Sequence, residues 1–224
     1  TDRPLAFPLV DFEDFPEGFD AAGTEASFLV RDRSKWGYYQ MIRFWFSRIW
    51  VHPAIDMFDT VMRIDSDSCF MEKNAVLPNL VGDDIVYHSQ YVGYEPAKET
   101  VQGLFDFCVE WMKSVDKMPG NPMMWNFIKT TWEETGTLPV LRTNFEVARK
   151  SFMQKRDVYR WLELITEREP FPIFKYRWGD AVLRFLMIAI FAENHMVTLS
   201  RPEGYAHKEL CDKDNYLARY GRIG

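Results

Sequence analysis

Thr60-Val61-Met62-Arg63-Ile64-Asp65-Ser66-Asp67 is the stretch on which the fold turns. Thr60 to Ile64 is rich in β-branched and apolar residues around one arginine, the composition of a short strand. The strand runs straight into two carboxylates. In α/β sheets ligands bind beyond the carboxyl ends of strands, so Asp65 and Asp67 occupy the usual place for a site. Two oxygen donors one residue apart can share a hard divalent cation such as Mg²⁺ or Mn²⁺. A solvated turn is the structural alternative, and Asp212-Lys213-Asp214 repeats the spacing with no strand before it.

Outward from that strand the chain alternates. The first thirty residues read as loop around one apolar run, Leu5 to Val10, a candidate for an earlier strand. Trp36 to Val51 reads as a helix with Tyr38, Met41, Ile42, Trp45, Ile49 and Trp50 on one stripe, stopped by Pro53. Beyond it, Asp84 to Tyr91 reads as a strand and Lys98 to Val115 as an amphipathic helix. Asn121-Pro122 starts another helix by cap and N1 logic, and Gly136 ends it. Leu138 to Arg142 reads as a strand, Asp157 to Glu167 and Asp180 to Glu193 as helices, and Met196 to Leu199 as a last short strand. The second of those helices is apolar nearly all round. The pattern predicts one α/β domain over 1–224 with a mixed, mainly parallel sheet flanked by helices.

Composition bounds the function classes. The chain has 224 residues, 27 Lys+Arg against 33 Asp+Glu, and a net charge of −6. Without a clustered run of cations, binding to a nucleic-acid duplex is not expected. With 18 Phe, 8 Trp and 10 Tyr the chain can build a large core. Cys69, Cys108 and Cys211 are odd in number and widely spaced, so no disulfide framework is expected. The longest apolar stretch, Ala181 to Ala192, is interrupted by Arg184 and too short to cross ~30 Å of hydrocarbon. No membrane contact is expected, and Thr1 begins no signal peptide.

Other segments carry residues suited to chemistry. Glu146, beside Asn144 and between Phe145 and Val147, suits a nucleophile, base or substrate ligand. A capped first-turn glutamate is the alternative. In Arg177-Trp178-Gly179-Asp180, arginine suits a diphosphate and tryptophan a sugar or base; an N-cap Asp180 with a buried Trp178 is the alternative. Among the histidines, His207 lies in the turn-like Gly204-Tyr205-Ala206-His207, and His52, His88 and His195 read as structural.

Taken together these segments resemble the fungal α-1,2-mannosyltransferases of the Kre2/Mnt1 type, glycosyltransferase family 15. The family's Tyr-x-x-Met-x-Arg-Phe matches Tyr38 to Phe44, and its His-Pro matches His52-Pro53. Its metal motif usually reads Glu-Pro-Asp, where this chain has Asp65-Ser66-Asp67, a shorter first acid without the stiff proline. Ser-Asn-Phe-Glu matches Thr143 to Glu146, Arg-Trp-Gly-Asp-Ala matches Arg177 to Ala181, and Gly-Tyr-x-His matches Gly204 to His207. The matches occur in the family's order.

The resemblance implies a GT-A fold, a GDP-mannose donor, Mn²⁺ or alternatively Mg²⁺, a mannosyl or related glycan acceptor, and retention at the anomeric carbon. It implies Asp65, Asp67 and His207 as metal ligands and Glu146 as the carboxylate on the sugar's β face. Tyr38, Arg43, Arg63, Asn144, Arg177, Trp178 and Asp180 would line the donor and acceptor pocket. Family domains open with a strand and helix ahead of the candidate at Leu5 to Val10, so the first strand is expected to be lacking, or supplied by a preceding segment or a partner chain. Golgi lumenal location follows from the resemblance alone. A non-catalytic glycan-binding or scaffold relative is the alternative, and a metal-dependent hydrolase a third reading.

Overall fold

The strand expected at Thr60–Ile64 forms with those bounds in a computed structural model that describes residues 9–26, 36–71 and 84–220. In chain order the elements begin with α1 (Gly37–Phe46), β1 (Thr60–Ile64), β2 (Ser68–Phe70), β3 (Tyr87–Ser89) and β4 (Val92–Tyr94). There follow α2 (Leu104–Ser114), α3 (Pro122–Thr135), β5 (Pro139–Leu141), β6 (Phe145–Arg149), α4 (Lys150–Met153) and α5 (Arg156–Thr166). Last come α6 (Pro172–Tyr176), α7 (Asp180–Phe191), β7 (Val197–Leu199), β8 (Tyr205–His207) and α8 (Lys213–Tyr220). The candidate strand at Leu5 to Val10 lies mostly outside the described residues, and Leu9 and Val10 are exposed, irregular chain.

A four-stranded sheet in the order β1-β6-β3-β7 organises these elements. The mixed sheet flanked by helices is as expected. Among its described strands, β3 and β7 pair parallel, while β6 is antiparallel to both neighbours. The segment at Asn144-Phe145-Glu146 was the least legible. It is neither a post-strand loop nor a helix first turn, because Phe145–Arg149 is itself an interior strand hydrogen-bonded on both sides. Opposed residues share a sheet face. Glu146 therefore stands beside Arg63 on β1 and Ser89 on β3. The other face carries Phe145 and Val147, which pack with Tyr205, Met62 and Phe70 beneath the two-stranded ribbon β2-β8.

Helix α7 is buried from Val182 to Ile190 and forms the centre of the main core, as its all-round apolar sequence predicts. Helix α1 is shorter than expected, giving way after Phe46 to a 3-10 turn at Arg48–Val51. Its fully buried face is Tyr39, Ile42 and Phe46, so the expected stripe is rotated; Tyr38, Met41 and Trp45 lie on a half-buried flank. The helix expected from Lys98 breaks in two because Gly103 takes a left-handed φ of 70°, which ends one turn and starts α2. Asn121 caps α3 as predicted, its Oδ1 accepting from the Met124 amide at 3.0 Å, and Gly136 closes the helix at φ 64°. Asn121→Ala should lower stability by about 1 kcal/mol, measured by urea unfolding.

The cysteine expectation fails. Cys69 and Cys211 form a disulfide across 142 residues of sequence, with Cα atoms 5.8 Å apart, and Cys108 is free and buried. Pairing of β2 with β8 brings the two together, and no local spacing announces that.

Candidate functional site

Strand β1 delivers Asp65 and Asp67 at its carboxyl end, and β8 returns to the same place because His207 pairs with Ser68 across the β2-β8 ribbon. One ligand atom from each of Asp65, Asp67 and His207 lies within 4.8 Å of the others. His207 Nε2 is 2.9 Å from Asp67 Oδ1. The turn is held by its backbone: the Asp65 amide donates to the Asn144 carbonyl at 3.1 Å, and the Lys208 amide donates to the Asp67 carbonyl at 2.9 Å. By contrast Asp212 and Asp214 are exposed, and Asp212 merely accepts from the amides of Asp214 and Asn215 at the start of α8.

A cavity of about 480 Å³ opens over these three side chains. Arg63 organises its inner wall. The guanidinium lies 3.0 Å from Asp65 Oδ1 through Nε, pairs through Nη1 with Asp180 Oδ2, and sits 5.0 Å above the Trp45 ring. Burial alone would pull its pKa down, but Asp180, Glu146 and Asp65 outweigh that and hold it protonated. Asp180 is the first residue of α7, where a carboxylate meets the positive end of the helix dipole, and it also accepts from Thr143 Oγ1 at 3.1 Å. Tyr38 projects from the flank of α1; burial, then the Asp180 charge, push its phenol up, so it remains a hydrogen-bond donor. Gln90 donates to Asn144 Oδ1 at 2.9 Å, which leaves the Asn144 amide group as the donor facing the cavity.

Seven of the expected residues thus meet on one cavity: Tyr38, Arg63, Asp65, Asp67, Asn144, Asp180 and His207. Four do not. Arg43 is five residues from Tyr38, about 140° around the helix. It points instead to Glu167, at 2.6 Å, and to the Asp14 carbonyl, beside a separate cavity of about 180 Å³. Trp178 is buried in the core against Tyr176 and Phe107, its indole donating to the Gln102 carbonyl at 3.0 Å. That is the structural alternative, although Gly179 rather than Asp180 is the N-cap. Arg177 lies over the Tyr38 ring at 4.7 Å, behind the cavity wall.

Glu146 is the fourth, and its carboxylate lies below the wall. It accepts from the Tyr87 hydroxyl at 2.6 Å and pairs with Arg184 Nε at 3.0 Å, with both members of the ion pair almost wholly buried. Burial and the Glu146 charge push the Tyr87 phenol well above its usual range, so it stays the donor. Arg184, which interrupts the apolar helix in the sequence, is there because Glu146 needs a partner.

The cavity also holds cations that the sequence reading passed over, among them Arg142 and Lys208. Arg142 follows the edge strand β5 and lies over Gly93, where a Cβ would stand 2.9 Å from its Nε. Lys208 directly follows His207, and that adjacency was the available signal.

Comparison with known proteins decides the family. The profile of the glycolipid 2-alpha-mannosyltransferase family matches residues 22–220. The chain belongs to that family. Glycolipid 2-alpha-mannosyltransferase 2 of Candida albicans is 23% identical over 171 residues, covering 76% of this chain and 37% of that protein. The probable mannosyltransferase KTR4 of Saccharomyces cerevisiae is 24% identical over 190 residues, covering 76% and 38%. Core-mannan synthase A (CmsA/Ktr4) of Aspergillus fumigatus, solved as a Mn/GDP form, superposes with a TM-score of 0.64 at 19% identity, covering 76% of this chain and 48% of that one. The chain therefore spans between 37% and 48% of the length of these three relatives. The superposition extends the family's fold to the mixed sheet and flanking helices of this chain.

Proposed function

We propose that this chain carries out metal-dependent, retaining transfer of mannose from GDP-mannose to a mannosyl or related glycan acceptor, forming an α-1,2 linkage. The observation that carries the reading is the convergence of Asp65, Asp67 and His207 in a cavity that also holds Arg142 and Lys208. An anion with two phosphoryl groups needs both a divalent cation and fixed positive side chains, and both sets of donors are present. The metal site fits its ion. Two carboxylates suit a hard divalent cation, and the imidazole tips the set from Mg²⁺ toward a transition ion such as Mn²⁺. When bound, the ion supplies Lewis-acid stabilisation to the leaving diphosphate.

The chain's own residues supply the rest. Asp65, Asp67 and His207 hold the cation, and Arg63 orients Asp65 from behind while fixing Asp180. Asp180 keeps acceptor capacity for a sugar hydroxyl, and Tyr38 and Asn144 offer donors. Arg142 and Lys208 neutralise phosphate oxygens. Retention calls for a carboxylate near the anomeric carbon. For Glu146 to fill that role its pairing with Tyr87 and Arg184 must open; in the geometry observed it holds those two side chains and reaches Arg63 only through its charge. A Golgi lumenal setting agrees with a disulfide, which persists in oxidising compartments.

The test is a panel of nucleotide sugars with Mn²⁺, following release of nucleoside diphosphate with and without mannosyl acceptors. Acceptor-dependent GDP release from GDP-mannose, lost in EDTA, supports the reading. Release without an acceptor would favour a hydrolase, and full activity in EDTA would remove the metal from the mechanism. Gly93→Ala gives a finer check. Its Cβ displaces only the flexible end of Arg142, so the melting temperature should hold while KM for the donor rises several-fold.

A further inference from the structure

The disulfide between Cys69 and Cys211 joins the two chain segments that carry the metal ligands. Cys69 lies two residues past Asp67 in β2, and Cys211 ends the 3-10 turn Lys208–Cys211 that follows His207. Besides the bond, the segments are joined by the β2-β8 ladder, the Ser68–Tyr205 hydroxyl contact at 2.8 Å and the packing of Phe70 on Tyr205, none of which involves the Asp67 side chain. The ribbon consists of three residue pairs, and a two-stranded ribbon is marginal by itself. Asp65 is secured independently, by Arg63 and by the Asn144 carbonyl. Asp67 has no such anchor in the sheet: its side chain is 51% exposed and, among the described residues, pairs with His207 alone. Its carbonyl oxygen accepts from the Lys208 amide and lies 3.6 Å from Cys211 Sγ. The bond thus closes directly over the Asp67 backbone. Neither cysteine belongs to the main core or to the smaller cluster under the ribbon, and both are only half-buried.

We propose that the Cys69–Cys211 disulfide is a positioning element of the metal site, holding the Asp65–Asp67 turn against His207, so that its reduction weakens divalent-cation binding without unfolding the domain. The inference rests on the metal site of the proposed function. Reduction is a two-electron step: a phosphine takes up the oxygen of water to become its oxide, and the S–S bond is replaced by two thiols. The freed thiols do not substitute as ligands for Mn²⁺, which prefers oxygen and nitrogen donors. The sheet and main core remain, but Asp67 and His207 lose their fixed separation. Loss of such outer support typically weakens metal affinity by about 10–100-fold.

The test measures Mn²⁺ affinity in the presence of GDP by electron paramagnetic resonance of the free ion. It compares the oxidised protein, the phosphine-reduced and desalted protein, and the Cys69→Ser/Cys211→Ser variant. A dissociation constant at least about 10-fold weaker in both altered forms, with unchanged far-ultraviolet circular dichroism, is the expected result. Equal affinity in all three forms overturns the inference and leaves the metal site standing. Unfolding of both altered forms also overturns it, because the bond would then support the domain rather than the site. Absence of Mn²⁺ binding in the oxidised protein overturns the metal site and the inference together.

Discussion

Asp67→Ala should abolish metal-dependent sugar transfer while leaving the fold intact. The carboxylate is one of three side-chain ligands in the proposed metal site, and Lewis-acid stabilisation of a leaving diphosphate is worth several kcal/mol, so the expected loss in kcat is about 10²–10³-fold. The stability cost is small. Asp67 is 51% exposed and, among the described residues, its side chain pairs with His207 alone, so the change should stay within about 0.5 kcal/mol. His207→Ala should behave alike. Asp214→Ala serves as the control, since Asp214 is exposed, lines neither described cavity and leaves the Asp212 cap of α8 in place; activity and melting temperature should both be unchanged. Kinetics at saturating Mn²⁺ with thermal unfolding of the three variants make the comparison. Activity retained in Asp67→Ala would show that the cavity does its chemistry without this cation.

The second large effect lies beneath the cavity. Glu146→Leu leaves Arg184 buried and unpaired, and breaking such a pair typically costs about 3–5 kcal/mol. At about 2–4 °C per kcal/mol for a chain of this size, the melting temperature should fall by roughly 6–20 °C. Adding Arg184→Met should recover part of that loss, because it removes the unpaired buried charge but leaves the Tyr87 hydroxyl and the Trp45 carbonyl without those partners. Glu146→Gln separates structure from chemistry. It keeps an acceptor for the Tyr87 hydroxyl, and if Glu146 acts by holding Tyr87 and Arg184 beneath the cavity, kcat should stay within about tenfold of the unaltered chain. A collapse of kcat in a folded Gln variant, with KM unchanged, would return Glu146 to the sugar's β face.

Several elements were legible before any coordinates. The strand into Asp65-Ser66-Asp67, the capped start of α3 at Asn121-Pro122, and the buried α7 rest on signals only a few residues long: β-branched runs, an Asx cap, apolar continuity. The ordered motifs likewise brought Tyr38, Asn144, Asp180 and His207 under one expectation, and the cavity unites them. Where a motif was read as a unit, single residues were misplaced. Arg43 and Trp178 sit in matching segments, yet the 3.6-residue period turns Arg43 away from Tyr38, and Trp178 is needed to fill the core.

The interior strand β6 was missed for a related reason. Phe145-Glu146-Val147 carries a charge where an interior strand should be apolar, and only Arg184, 38 residues onward, makes that charge tolerable. The disulfide and the cations Arg142 and Lys208 depend on partners just as remote. Sequence by itself determined the α/β class, the acidic turn at the end of β1 and the family, because each is written in contiguous residues or in motifs of fixed order. Tertiary structure alone decided which motif residues face the cavity, which carboxylate is buried, and that Cys69 meets Cys211 across 142 residues. Those outcomes depend on side-chain direction and on long-range pairing, and neither is encoded locally.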